Sequence, residues 1–145
     1  MAKTQIMPLI TRAHLAWKRH QEGLLAGQPI TLKQLHLLQA LAKREFLYPA
    51  DIARFLMCDP PTARVVVRNL EKRRWVKGQA DPDDARRTRV RLTAAGRKKL
   101  TALSAALKKS RPRRFNPTSC LSPTEITRLE RMLRKVCEHL EELGK

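Results

Sequence analysis

Residues 59–92, DPPTARVVVRNLEKRRWVKGQADPDDARRTRVRL, join a basic helix directly to a two-stranded ribbon, and the rest of the chain has to support that pair. Asp59 can accept hydrogen bonds from the first free amides of a helix, and Pro60 at the first helical position has no amide to leave unpaired. Ala63, Val66, Val67 and Leu70 then recur at helical spacing and want burial, which turns Pro61, Arg64, Val65, Arg68 and Lys72 outward. Trp75-Val76 opens a β run, and Arg87 to Leu92 closes it with Val90 and Leu92 on one face. Asp81-Pro82-Asp83-Asp84 makes the turn between them. An exposed face with two arginines and a lysine suits a phosphate-lined groove.

Upstream, the apolar positions Ile6, Leu9 or Ile10, Ala13 and Trp17 keep a spacing of three or four, so residues about 4 to 22 read as an amphipathic helix with Pro8 in its first turn or kinking it. Gly23, Gly27 and Pro29 mark a loop. Thr31 caps a second helix with Leu32, Leu35, Leu38 and Leu41 inward, up to about Ala42. A third helix over roughly 49 to 56 turns Ile52, Phe55 and Leu56 to the core, and Met57-Cys58 is the tight turn before Asp59. Two short helices joined by so brief a turn, the second basic, form a helix-turn-helix.

Beyond the ribbon, Thr93 caps a fifth helix with Leu100, Leu103 and Leu107 as its buried stripe, running to about Lys109. Pro112 argues against its simple continuation, and KKSRPRR at residues 108–114 reads as a basic loop. Ser122-Pro123-Thr124-Glu125 is a capping box that starts the last helix. There Ile126, Leu129, Leu133, Val136, Leu140 and Leu143 step by three, four, three, four and three residues, the 3.5-residue seam of a helix packed along another helix. That seam can be filled within one chain or by a second copy. The second is preferred here, because the basic element sits mid-chain while helices at both ends lack a partner.

The length suits a single domain: a winged-helix core over 31–92, with 1–25 and 93–145 supplying dimerisation helices. The fold class is mainly α with a small β-wing. The net charge of +18, from 31 basic and 13 acidic residues, points to a polyanionic partner. The excess is local: residues 64–99 hold thirteen Lys or Arg and four acids, whereas 122–145 hold five of each. Cys58, Cys120 and Cys137 are odd in number and in no metal or secretory spacing. With no signal-peptide core and no apolar run of about 20 residues, a soluble cytoplasmic protein is expected. There is no phosphate-cradling glycine loop and no Cys-x-x-Cys, and the histidines are scattered. Neither an enzyme nor a cofactor is expected.

With Leu70-Glu71-Lys72 ending the basic helix, Trp75-Val76 entering the ribbon, Asp81 to Arg86 at its tip and Leu92-Thr93-Ala94-Ala95-Gly96 after it, the chain resembles the MarR family of winged-helix transcription regulators. The resemblance covers nearly the whole chain in element order. It implies an obligate homodimer, paired through the first, fifth and sixth helices, that offers two winged helices to a pseudo-palindromic operator on double-stranded DNA. It also implies that Asp84 and Arg86 are the wing's Asp-x-Arg pair, the aspartate steadying the arginine for the minor groove. A small phenolic or lipophilic effector is implied as well, in a cleft that Trp17, His14 and His36 would help to line. Three positions depart from the family pattern. Gly78 stands where a basic residue is usual, Arg74 where a helix-ending glycine is usual, and Pro112 where many relatives keep a long fifth helix. Arg74 is therefore expected to adopt a left-handed conformation at some cost.

On such a complex, Arg64 and Arg68 can each reach a guanine edge, while Pro61 and Val65 can touch thymine methyls. Thr62 can bond a phosphate at the helix start. Arg86 suits a narrow minor groove. Lys72, Arg73, Lys77, Arg87 and Arg89 would hold phosphates and set affinity rather than sequence. Two other readings compete. One is an architectural, weakly specific nucleic-acid clamp. The other is a regulator switched by oxidation of Cys58, just before the basic helix, or of Cys120, in a basic loop.

Overall fold

The computed structural model describes residues 5–110 and 116–144, so part of the KKSRPRR run and the Pro112 break lie outside the described residues. The elements are α1 (Ile6–Leu24), α2 (Leu32–Ala42), α3 (Pro49–Phe55), α4 (Pro60–Lys72), β1 (Val76–Ala80), β2 (Thr88–Leu92), α5 (Ala94–Ser110) and α6 (Pro123–Leu143). The chain divides into two compact units, residues 1–110 and 111–145.

In the first unit the expected capping chemistry sets the helix starts. The Thr31 hydroxyl accepts the Gln34 amide, and the Gln34 side chain accepts the Thr31 amide. Asp59 accepts the Thr62 amide at 2.6 Å, and Pro49 and Pro60 open α3 and α4. Leu35, Leu38 and Leu41 of α2 are buried as the spacing requires, and Leu37 and Ala40 join them because α2 is covered on more than one side. They meet Ile52, Leu56, Ala63, Val66, Leu70, Val76, Val90 and Leu103 in one apolar cluster. α5, read from the sequence with the terminal helices, packs against α2 through that cluster.

Two local expectations are corrected. Gly23 is helical rather than part of the loop, since α1 runs on to Leu24; the chain turns at Gly27, where φ is +80°. Phe55 is exposed (46 %), and the core position expected for it is taken by Ala53, buried on the inner face of α3 with Ile52.

β1 and β2 form an antiparallel ribbon that pairs Val76 with Leu92 and Ala80 with Thr88. Leu47, outside any strand in the sequence reading, pairs with Val90 through two backbone hydrogen bonds of 3.0 and 2.9 Å. The ribbon thereby gains a third edge just ahead of α3.

In the second unit, Ser122 and Glu125 form the expected capping box of α6, with Pro123 at its first turn. No residue of α6 is buried, and Leu129, Leu133, Leu140 and Leu143 of its apolar seam are exposed while Ile126 and Val136 are half-buried. α1, at the other end of the chain, likewise buries none of its residues, with Ile6, Met7, Leu9 and Leu15 exposed.

Candidate nucleic-acid interface

α4 divides as its spacing requires. Ala63, Val66 and Leu70 face the core, with Val67 half-buried, while Pro61, Arg64, Val65, Arg68 and Lys72 are exposed. The Asp59 carboxyl at its start is held below the usual carboxylate range by hydrogen bonds from the Thr62 hydroxyl and amide. Thr62 itself is half-buried. Among the described residues Arg64, Arg68, Lys72 and Lys77 form no ion pair, so their cationic groups are available to an anion. Arg64 and Arg68 border a hollow of about 240 Å³ against the ribbon, with Glu71, Thr88 and Val90 on its other sides.

The junction between α4 and β1 accounts for two of the unusual positions. Arg74 has φ of +59°, the expected left-handed conformation. Its amide donates to the Glu71 carbonyl at 2.8 Å and the Trp75 amide to the Leu70 carbonyl at 3.0 Å, which closes α4 with a Schellman motif. The Thr93 hydroxyl lies within 2.7 Å of the Arg74 carbonyl and 3.0 Å of the Trp75 carbonyl, so the start of α5 holds the end of α4. At Gly78, the backbone amide donates to the Glu71 carboxylate at 3.1 Å, and an added β-carbon would stand 3.0 Å from the Thr88 methyl across the ribbon.

At the ribbon tip Arg86 is 93 % exposed in its side chain and pairs with Asp84 at 3.3 Å, and the Asp84 carboxylate also accepts the Arg86 amide at 3.1 Å. The base of the tip is organised by Asp81, which the sequence reading placed only as a turn residue. Its carboxylate, nearly buried, accepts the Tyr48 hydroxyl, the Arg89 guanidinium at 2.9 and 3.1 Å, and the Asp83 amide at 2.8 Å. These bonds, the Tyr48 hydroxyl first, hold the Asp81 carboxyl far below its ordinary value. Arg87 lies 3.7 Å above the Tyr48 ring and Arg89 4.2 Å above that of Phe46. Nothing near Asp81 in sequence announces the network, because Tyr48 is 33 positions away.

Two of the cations expected to hold phosphates also have partners within the fold. Arg89 is only 17 % exposed and tied to Asp81. Arg73 donates to the Pro29 carbonyl and covers the Trp75 ring at 4.9 Å.

Of the residues considered for an effector, Trp17 stacks on His20 with centroids 5.6 Å apart, and His14 is exposed. His36 is half-buried, and burial lowers its pKa. A separate hollow of about 430 Å³ lies between α2 and α5, bordered by Ala42, Leu100, Ser104 and the cations Arg97 and Lys108; none of the three lines it. Cys58 is half-buried, Cys120 and Cys137 are exposed, and all are free thiols. Among the described residues there is no metal-binding cluster of His, Cys, Asp or Glu, and no helix is long and apolar enough to cross a membrane.

Residues 30–88 match the sequence model of the MarR family. No curated protein sequence matches the chain. Solved structures do. Staphylococcus aureus MepR in its DNA-binding conformation is 26% identical, with a TM-score of 0.79 over 94% of this chain and 99% of that one. MepR in complex with DNA is 25% identical, with a TM-score of 0.74 over 95% and 99%. Bordetella bronchiseptica BpsR, whose DNA binding is regulated by 6-hydroxynicotinic acid, is 23% identical, with a TM-score of 0.72 over 92% and 99%.

Proposed function

We propose that this chain, whose residues 30–88 match the MarR family, is a member of that family and a sequence-specific regulator of transcription that binds a pseudo-palindromic operator on double-stranded DNA as a homodimer. The family is one of transcription regulators rather than enzymes. The observation that carries the reading is the pair Arg64 and Arg68, exposed one helical turn apart on α4 and free of ion pairs among the described residues. With α4 in the major groove, each guanidinium presents two parallel donors to the acceptor edge of a guanine. Pro61 and Val65 meet thymine methyls, and Thr62 with the α4 amino end meets a phosphate. Arg86, steadied by Asp84, enters the minor groove. Lys72, Lys77 and Arg87 neutralise backbone phosphates, and Arg89 serves by shaping the wing.

The homodimer is supported by the apolar faces of the terminal helices. Leu129, Leu133, Leu140 and Leu143 are exposed on α6, and Ile6, Met7, Leu9 and Leu15 are exposed on α1; an uncovered apolar face of this kind on either helix marks a contact with another protein surface. Ile126 and Val136 complete the α6 seam. We read occupancy of the operator as repression and a small ligand as its regulator, as 6-hydroxynicotinic acid regulates the DNA binding of BpsR. Gel-shift titration of a specific and a scrambled duplex, with sedimentation of the complex, tests the reading. Two chains per specific duplex, and tighter binding to the specific duplex than to the scrambled one, are expected. Equal affinity for both duplexes would favour the architectural clamp instead.

A further inference from the structure

Tyr48 stands at the N-cap of α3, directly ahead of Pro49, and so belongs to the helix-turn-helix. Its hydroxyl donates to Asp81 at the base of the wing. The segment that carries it is fixed on both sides: Leu47 pairs with Val90 of β2, and Phe46 lies under the Arg89 guanidinium at 4.2 Å. Asp81 in turn receives Arg89 from β2 and the Asp83 amide from the tip, while its own amide donates to the Arg87 carbonyl at 2.8 Å. One buried carboxylate therefore gathers donors from the entry to α3, from β2 and from the turn. A buried carboxylate with its lone pairs occupied in this way is rigid, and removing one donor leaves an oxygen unsatisfied.

We infer that Tyr48, Asp81 and Arg89 form a latch that fixes the distance and angle between α4 and the wing tip, making them positioning residues for DNA recognition. The inference rests on the DNA-binding reading proposed above. Its physical content is that a protein with one element in the major groove and another in the adjacent minor groove must hold both in register with the duplex. A ribbon of two strands is too weak to do this unaided. Arg86 sits on the tip, and its chance of meeting the minor groove depends on where the base points. The Asp84 pair orients that arginine locally; Asp81 orients the whole tip.

The test is a double-mutant cycle on the full chain. Tyr48→Phe removes only the hydroxyl and keeps the ring under Arg87, so the fold is retained; Asp81→Asn is the second, stronger perturbation. Tyr48→Phe is expected to weaken specific DNA binding roughly three- to tenfold, the range for the net loss of one ordinary hydrogen bond, since Arg89 and the Asp83 amide still hold the Asp81 carboxylate. In the Arg86→Ala background the same change is expected to have little further effect, because there is no minor-groove arginine left to position. In the Arg68→Ala background it is expected to keep its full effect. Additivity with both backgrounds, or no effect of Tyr48→Phe alone, would overturn the latch. Amide hydrogen exchange of the free protein separates this from failure of the DNA-binding reading. Faster exchange at Asp83 and Arg87 in Tyr48→Phe is expected whether or not the chain binds DNA, and unchanged exchange there would overturn the latch by itself.

Discussion

A β-carbon added at Gly96 would lie 2.0 Å from the carbonyl oxygen of Trp75. That oxygen also accepts the Thr93 amide at 3.0 Å and lies 3.0 Å from its hydroxyl, so the first turn of α5 is drawn onto the end of α4 through one carbonyl. Only glycine permits the approach. Gly96→Ala forces backbone to move at a junction shared by α4, β1 and α5, and is expected to destabilise the protein by about 1 to 3 kcal/mol or more, the range for overpacking a tight contact. Thermal melting checks this, and an unchanged midpoint would contradict the contact.

Arg74→Gly is expected to act in the opposite direction. At φ of +59° a β-carbon is crowded, and relief of that strain is worth about 1 kcal/mol, offset in part by the greater freedom of glycine in the unfolded chain. The exposed Arg74 forms no ion pair among the described residues, and removing its charge from a chain of net +18 adds no penalty. Urea denaturation should show a higher midpoint for the variant with an unchanged slope.

The left-handed Arg74 is legible only through the family resemblance, which puts it where a helix-ending glycine is usual, whereas the caps Thr31, Asp59 and Ser122 are legible because helix starts follow local rules. The faces of α2 and α4 and the ribbon followed from apolar period alone. What was lost depends on pairing across long stretches of chain. Asp81 looked like any turn aspartate, and its partners Tyr48 and Arg89 looked like a loop tyrosine and a phosphate holder; their meeting is fixed by the Leu47 and Val90 bridge, which has no local signal. The apolar set Ile52, Phe55 and Leu56 suggests one core-facing stripe, but on so short a helix it does not tell that the smaller Ala53 takes the inward position of Phe55.

Arg64→Ala or Arg68→Ala is expected to relax sequence preference at one position of the site by about 1 to 3 kcal/mol. Lys77→Ala, at an exposed ribbon residue, is expected to weaken binding to all DNA alike. Parallel titrations of specific and scrambled duplexes separate the two effects. An Arg68→Ala protein with unchanged discrimination would remove it from base reading.

Acid should loosen the wing in a defined direction. Asp59 and Asp81 both have carboxyl pKa values lowered in the folded state by the hydrogen bonds they accept, from Thr62 and, for Asp81, from Tyr48 first. A lowered folded-state pKa adds stability that is fully present above the unfolded value, about 4, and is lost as pH falls toward the folded value. Stability is therefore expected to be insensitive to these two groups from pH 5 to 8 and to fall below pH 4. Denaturation midpoints measured down the pH range should fall less steeply below pH 4 in Asp81→Asn, which starts from a lower midpoint at pH 7.

Selection of bound duplexes from a random pool tests the central claim most directly. Enrichment of an inverted repeat is expected, its half-site centres about 34 Å apart as two α4 helices on one face of the duplex require, with the enrichment at one position lost when Arg68→Ala protein is used. A pool that yields no motif, or a single half-site without its repeat, would contradict recognition of a pseudo-palindrome by a homodimer.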